Sequence, residues 1–171
     1  MCFDFKELKD IFDKLPDESE KKLAEAVKGA VRVFVHGAGR SGLMIKAFAM
    51  RLAQAGLTVY AVGDCTTPAI GEGDILIVAS ASGRTLGVVR CARTAKELDA
   101  RVFCITASPE SELAGLADEA VCFSAPNKDS ENSGSLMGTL FEEALLLFFD
   151  SAAEFLGADA TKMRRNHANL E

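Results

Sequence analysis

The sequence predicts a doubly wound α/β fold: a three-layer, flavodoxin-like arrangement around a five-stranded parallel sheet, with extra helices at both ends. Three observations predict it. Between residues 30 and 125, short apolar runs rich in Val and Ile alternate with helix-length segments, the pattern of successive βα units. The runs are apolar almost throughout rather than at every second position, as required when helices cover both faces of a sheet. Two of them lead directly into glycine-containing loops, Gly37-Ala38-Gly39-Arg40-Ser41-Gly42 and Ser80-Ala81-Ser82-Gly83-Arg84-Thr85. In open α/β sheets the carboxyl ends of the strands are where ligands bind.

Taken in order, Phe5, Leu8, Ile11 and Phe12 recur at helical spacing until Leu15-Pro16-Asp17 breaks the pattern. Asp17 is placed to cap a second helix whose buried stripe is Leu23, Ala24, Val27 and Ala30. The first strand is expected at Val31–His36. A helix follows the first glycine loop to about Ala55, with Gly56 as its stop. The second strand is expected at Leu57–Val62 and the third at Asp74–Ser80. A helix at Thr85–Leu98 precedes the fourth strand, Arg101–Thr106. A short helix at Glu112–Ala117 precedes the fifth strand, Ala120–Ser124. The polar stretch Ser124–Ser135, with Pro126, Asn127, Asp129 and Gly134, reads as a mobile loop. A long helix over Leu136–Leu156 follows, apolar around well over half its circumference, which predicts burial on several sides and a place in a subunit interface. The tail from Lys162 is polar.

The 171 residues, 49% hydrophobic and 26% charged, are enough for one domain with a real core. The expected organisation is a single domain over 1–171: terminal helices at 1–29, the βα core at 30–125, and a helix with its tail at 135–171. The net charge of -6 and the lack of a basic stripe argue against nucleic acid as a partner. No apolar run is long enough to span a membrane, and the amino terminus lacks the basic start and apolar stretch of a signal peptide, so the cytoplasm is the expected location. The five cysteines form no C-x-x-C pair. Cys104 and Cys122 lie in apolar runs and read as small core residues rather than as metal or disulfide partners.

The first loop matches G-x-G-x-x-G, with Asp64 after the next strand. That is also the pattern of a dinucleotide site, with the acid on the ribose. A hydroxyl-rich second loop and the lack of room for a substrate domain weigh against that alternative. In the second loop Ser80, Ser82 and Thr85 surround Gly83. Hydroxyls, a backbone that an anion can approach closely, and a helix amino terminus together point to a bound phosphate. An ordinary capped turn is the plainer reading of the same residues.

These loops, together with Ala47-Phe48-Ala49-Met50-Arg51-Leu52, Thr66-Thr67-Pro68-Ala69-Ile70, Met137-Gly138-Thr139-Leu140-Phe141-Glu142 and His167-Ala168-Asn169-Leu170-Glu171, make the chain resemble the sugar isomerase (SIS) family. More narrowly, it is similar to the 6-phospho-3-hexuloisomerase subfamily. The resemblance implies interconversion of D-arabino-hex-3-ulose 6-phosphate and fructose 6-phosphate through an enediol(ate), with no cofactor and no metal, in a homotetramer that serves formaldehyde fixation in the ribulose monophosphate pathway or its reverse. It implies that Ser41, Ser80, Ser82 and Thr85 hold the phosphate and that Glu142 and His167 form the acid/base pair, with His167 open to supply by a neighbouring subunit. Gly39, Arg40, Arg51 and Gly83 are further substrate-site candidates. Arg51 is equally open to a structural ion pair, and His36 is the rival imidazole. The chain carries Ala81, Arg84 and Asp64 where the family often has Gly, Glu and Glu, which leaves two alternatives open: an isomerase of another phosphosugar on the same fold, or a sugar-phosphate sensor without catalysis.

Overall fold

The structure, a computed structural model, describes residues 5–126 and 139–170. Its elements are α1 (Phe5–Asp13), α2 (Ser19–Lys28), β1 (Val33–Gly37), α3 (Gly39–Gln54), β2 (Val59–Ala61), β3 (Ile75–Ala79), α4 (Leu86–Glu97), β4 (Arg101–Thr106), α5 (Glu112–Leu116), β5 (Glu119–Cys122), α6 (Thr139–Glu154) and α7 (Ala160–Arg165). The strands form one all-parallel sheet in the order β2-β1-β3-β4-β5, so the predicted doubly wound α/β class is the observed one. The chain runs outward from β1 to β2, then crosses back to β3. The order therefore reverses between β1 and β3, where Gly37 pairs with Ala79.

The alternation of side chains along each strand divides the core in two. Val33, Val35, Ile75, Ile77, Phe103, Ile105 and Val121 meet α1, α2, α3 and α6 on one face. Phe34, Leu76, Val78, Val102 and Cys104 meet α4 and α5 on the other. Both sets are buried, which is why the strands read as unbroken apolar runs. The thiol of Cys104 is pushed up to about 12 by its burial and then by Cys122, so it stays protonated and inert at neutral pH. Cys2 lies outside the described residues. Among the described residues no helix is long and apolar enough to cross a membrane.

The ends of several elements differ from the sequence pattern for identifiable reasons. β1 starts at Val33, because Val31 is exposed and its N–H is taken by Gly73 O at 2.8 Å. β2 is only Val59–Ala61 and half-buried, as suits an edge strand. β5 ends at Cys122. Asp17 does not cap α2. Glu18 occupies that position with φ 62° and no side-chain capping bond, while Ser19 Oγ donates to Pro16 O at 2.6 Å. The tail contains a helix absent from the sequence reading, α7, capped where Asp159 accepts from Lys162 N–H at 2.7 Å. Most of the polar loop after Ser124 and the first turn of the predicted long helix, residues 127–138, lie outside the described residues. The described part of that helix, α6, is covered largely by its own chain: α3, α2 and α1 bury Leu140, Phe141, Ala144, Leu145, Phe148 and Phe149. Phe48 of α3 stacks on Phe149 at 4.5 Å. Leu146 and Leu147 remain exposed, as do Leu43 and Met50 on the adjacent α3.

The amino-terminal ends of three strands are tied by one buried residue, Asp74. Arg32 Nε and Nη2 donate to the two oxygens of Asp74 at 2.9 and 2.6 Å, and Gly71 N–H adds a bond at 2.9 Å. Arg101 N–H, at the start of β4, donates to Asp74 O at 3.0 Å. Burial alone would raise the Asp74 pKa, but the bonds from Arg32 and Gly71 outweigh it and hold the carboxyl below its ordinary range. A depressed folded-state pKa means stability that is present above the unfolded value, near 4, and lost as pH falls through the folded one. The variant Asp74→Asn is expected to lower Tm by several degrees at pH 7 in thermal unfolding. It should also show a shallower loss of stability than the parent between about pH 5 and pH 2.

Candidate functional site

Both glycine loops leave the same end of the sheet, side by side, because β1 and β3 are paired neighbours. The first turns so tightly that Gly37 and Gly42 touch through backbone. A Cβ on Gly42 would stand 2.5 Å from Gly37 O, and one on Gly37 would stand 3.1 Å from Gly42 N. Glycine at both ends is thus what lets α3 begin immediately after β1. Gly39 sits at φ +55°. The turn sends Arg40 outward and Ser41 inward, exposed and buried respectively.

Ser41 Oγ donates to Glu142 Oε1 at 3.2 Å, and Arg40 Nε lies 3.5 Å from Glu142 Oε2. The first turn of α6 therefore brings a carboxylate against the first loop. Glu142 is largely buried, with 12% of its side chain exposed. Among the described residues its Oε2 has no hydrogen-bond partner, and neither does Oε2 of the adjacent Glu143. Burial raises the Glu143 pKa, Arg40 lowers it, and Glu142 raises it further. Glu143 is the residue here that motif reading missed. Its signal was present as the second acid of Phe141-Glu142-Glu143, which a one-acid motif passes over.

In the second loop Ser80 is buried and its Oγ lies 2.9 Å from Thr85 Oγ1. Thr85 holds the cap position of α4, yet its side chain makes no capping bond. The plain reading of this loop as a side-chain-capped turn therefore does not describe Thr85. Ser82 Oγ accepts from Arg84 N–H at 3.3 Å. Gly83 is at φ +59°, and a Cβ there would fall 2.0 Å from Ser111 Oγ. Hydroxyls, loop backbone and the free N–H groups of a twelve-residue helix converge on one spot, which is chemistry suited to an anion.

The remaining candidates lie elsewhere. Arg51 donates to Asp150 Oδ1 at 3.1 Å and to Gln54 Oε1 at 3.3 Å, tying α3 to α6 about 15 Å along the helix from Ser41. Asp64 pairs with Lys46 at 3.0 Å. His36 is half-buried near the end of β1, and burial pushes its pKa down, so it is neutral at pH 7. His167 is exposed just beyond α7, its Nδ1 3.0 Å from Ala168 O. The neighbouring Asn166 donates to Gln54 O at 3.0 Å, which fixes this segment at the far end of α3, about 20 Å from Ser41 at 1.5 Å per residue. A single chain thus brings Ser41, Arg40 and Glu142 together at the first loop, which leaves a strand paired with β3, but does not bring His167 to Glu142. Among the described residues no cluster of His, Cys, Asp or Glu is arranged to hold a metal ion.

The family model of the SIS domain matches residues 27–148. The chain is 45% identical over 172 residues to the 3-hexulose-6-phosphate isomerase of Mycobacterium gastri, covering 96% of this chain and 86% of that one. It is 39% identical over 165 residues to the 3-hexulose-6-phosphate isomerase of Bacillus subtilis strain 168, covering 92% and 89%. A crystal structure of a Methanococcus jannaschii protein, which infers for that protein a molecular function of 3-hexulose-6-phosphate isomerase, shares 32% identity. It matches with a TM-score of 0.82 over 96% of this chain and 93% of that one.

Replacing Gly83 with Ala combines a left-handed backbone with a collision against Ser111. The variant is expected to lose about 2–4 kcal/mol of stability, measured by urea unfolding. Part of that loss should return in Gly83→Ala/Ser111→Gly.

Proposed function

The chain belongs to the SIS domain family, and from that premise we propose that it is a phosphosugar isomerase interconverting D-arabino-hex-3-ulose 6-phosphate and fructose 6-phosphate. The observation that carries the reading is the Glu142 carboxylate, held by Ser41 of the first loop, which leaves a strand paired with the one that leads into the hydroxyl-bearing second loop. The loop hydroxyls and the amino terminus of α4 bind the 6-phosphate, remote from the reacting carbons, and fix C2 and C3 at the carboxylate. Glu142 takes the proton from C2. The electron pair of the broken C2–H bond forms the C2=C3 double bond of the enediolate, and the former C3 carbonyl oxygen takes the proton of the C2 hydroxyl; the C2 oxygen then re-forms a carbonyl as a proton is returned at C3. No atoms are gained or lost. A carboxylate with one oxygen fixed by Ser41 and the other, among the described residues, without a hydrogen bond has a lone pair free for this transfer. Arg40, 3.5 Å from the same carboxylate, supplies a positive charge that favours the developing enediolate.

His167 is the second acid/base group of this reading, supplied by a neighbouring copy of the chain, since its own lies about 20 Å along α3 from the loops. The exposed apolar residues Leu43 and Met50 on α3 and Leu146 and Leu147 on α6 support association, with a homotetramer as the proposed assembly. Residues 1–171 are read as one SIS domain. In support, a continuous apolar cluster links Leu8 and Ile11 of α1 to the sheet and to Ala152 of α6. The proposed setting is the cytoplasm, in formaldehyde fixation through the ribulose monophosphate pathway.

Formation of fructose 6-phosphate should be measured with hexulose phosphate made in situ from ribulose 5-phosphate and formaldehyde. Turnover well above a protein-free control is expected, and saturable phosphosugar binding without turnover would instead mean a sensor. Glu142→Gln should lower kcat by about 100-fold or more at unchanged Tm. Inactive Glu142→Gln and inactive His167→Ala chains, mixed under conditions of subunit exchange, should regain activity. Failure to regain any would place both groups in one subunit's site.

A further inference from the structure

The second loop is held from below by a part of the chain that no motif marks. Ala81 O accepts three hydrogen bonds: from Ala107 N–H at 3.0 Å, Ser108 Oγ at 3.1 Å and Thr106 Oγ1 at 3.2 Å. The Thr106 hydroxyl is itself oriented, because it accepts from Ser108 N–H at 3.1 Å, which leaves its own proton for Ala81 O. Thr106 is fully buried at the end of β4. Two residues further along the loop, Gly83 O accepts from Leu113 N–H at 3.2 Å. Both carbonyls therefore point toward the β4–α5 connection.

In a trans peptide the carbonyl and the following N–H point to opposite sides. Turning Ala81 O and Gly83 O toward β4 and α5 turns the N–H groups of Ser82 and Arg84 the other way. Away from β4 is toward β1, the other neighbour of β3, and so toward the first loop. Arg84 N–H is engaged by Ser82 Oγ, whereas among the described residues Ser82 N–H has no acceptor. With the peptide flipped, a carbonyl oxygen would face the anion instead, and its negative end would oppose binding.

We propose that Thr106 and Ser108 are positioning residues for the anion loop: by holding Ala81 O they aim Ser82 N–H at the substrate phosphate and keep the loop formed before the ligand arrives. This rests on the phosphosugar reading of the site. Preorganisation of this kind improves affinity by removing the cost of ordering the loop on binding. It acts on a part of the substrate remote from the reacting carbons.

The test uses the full chain and two probes, inorganic phosphate and fructose 6-phosphate, with binding read by calorimetry and turnover by the isomerase assay. In Thr106→Val/Ser108→Ala the Kd of fructose 6-phosphate and the KM of the hexulose phosphate are expected to rise about tenfold, with kcat within about twofold of the parent. Inorganic phosphate should weaken in parallel, because the contact is to the phosphate alone. Thr106→Ser, which keeps the hydroxyl, should restore most of the loss when combined with native Ser108. Unchanged affinity for both probes, or a fall in kcat at constant KM, would overturn the proposal. If the double variant does not fold, Ser108→Ala alone should still weaken fructose 6-phosphate about threefold, and no change would count against the proposal. A parent chain that binds neither probe would overturn the phosphosugar reading, and this proposal with it.

Discussion

The parallel pairing of β1 with β3 is the constraint on which the site depends. With Gly37 opposite Ala79, the two loops have to emerge at the same level and side by side. Because the strand order reverses there, their helices depart to opposite faces of the sheet, α3 to one and α4 to the other. The crevice that this opens is flanked by two helix amino termini and two sets of free backbone N–H groups. The Arg32–Asp74 pair secures the same strands at their opposite ends. It fixes the register that the loops inherit but takes no part in their chemistry.

Close backbone contact is the second requirement. The first loop can be this short only because Gly37 and Gly42 present no side chains to each other, and the second only because Gly83 presents none to Ser111. The polar groups then sort by position. Those behind the second loop, Thr106, Ser108 and Ser111, bond backbone or cap α5 and shape it. Those within the two loops, Ser41, Ser80 and Thr85, bond side chains of the site itself. The acidic side of the site comes from α6, whose apolar flanks are gripped by α3 through Phe48 and Phe149. That packing carries Glu142 and Glu143 into a mostly buried position, where an unmatched carboxylate oxygen is costly unless a ligand or proton meets it.

The class of fold and the succession of its elements along the chain were legible because they are written in short-range signals: unbroken apolar runs for β3 and β4, and glycine at the turn after β1. Less legible were features set by an element's surroundings. β2 shortened because it is an edge strand, and α7 formed in a stretch of polar composition on the strength of the Asp159 cap. α6 looked apolar enough for an interface, yet most of its apolar surface is spent on its own chain. Arg51, ambiguous in the sequence, is paired with Asp150 across the α3–α6 contact.

The sequence by itself determined the βα alternation, the two loops and the hydroxyls within the second, since each depends on residues within a few positions of one another and on backbone preferences local to them. Only the tertiary structure decided that Ser41 holds Glu142, 101 residues away, that Ala81 O is clamped from β4, and that His167 stands at the far end of α3 from Glu142. Those relations follow from how helices pack on a sheet, where contact is set by complementary surfaces rather than by distance along the chain. No local pattern of residues encodes them.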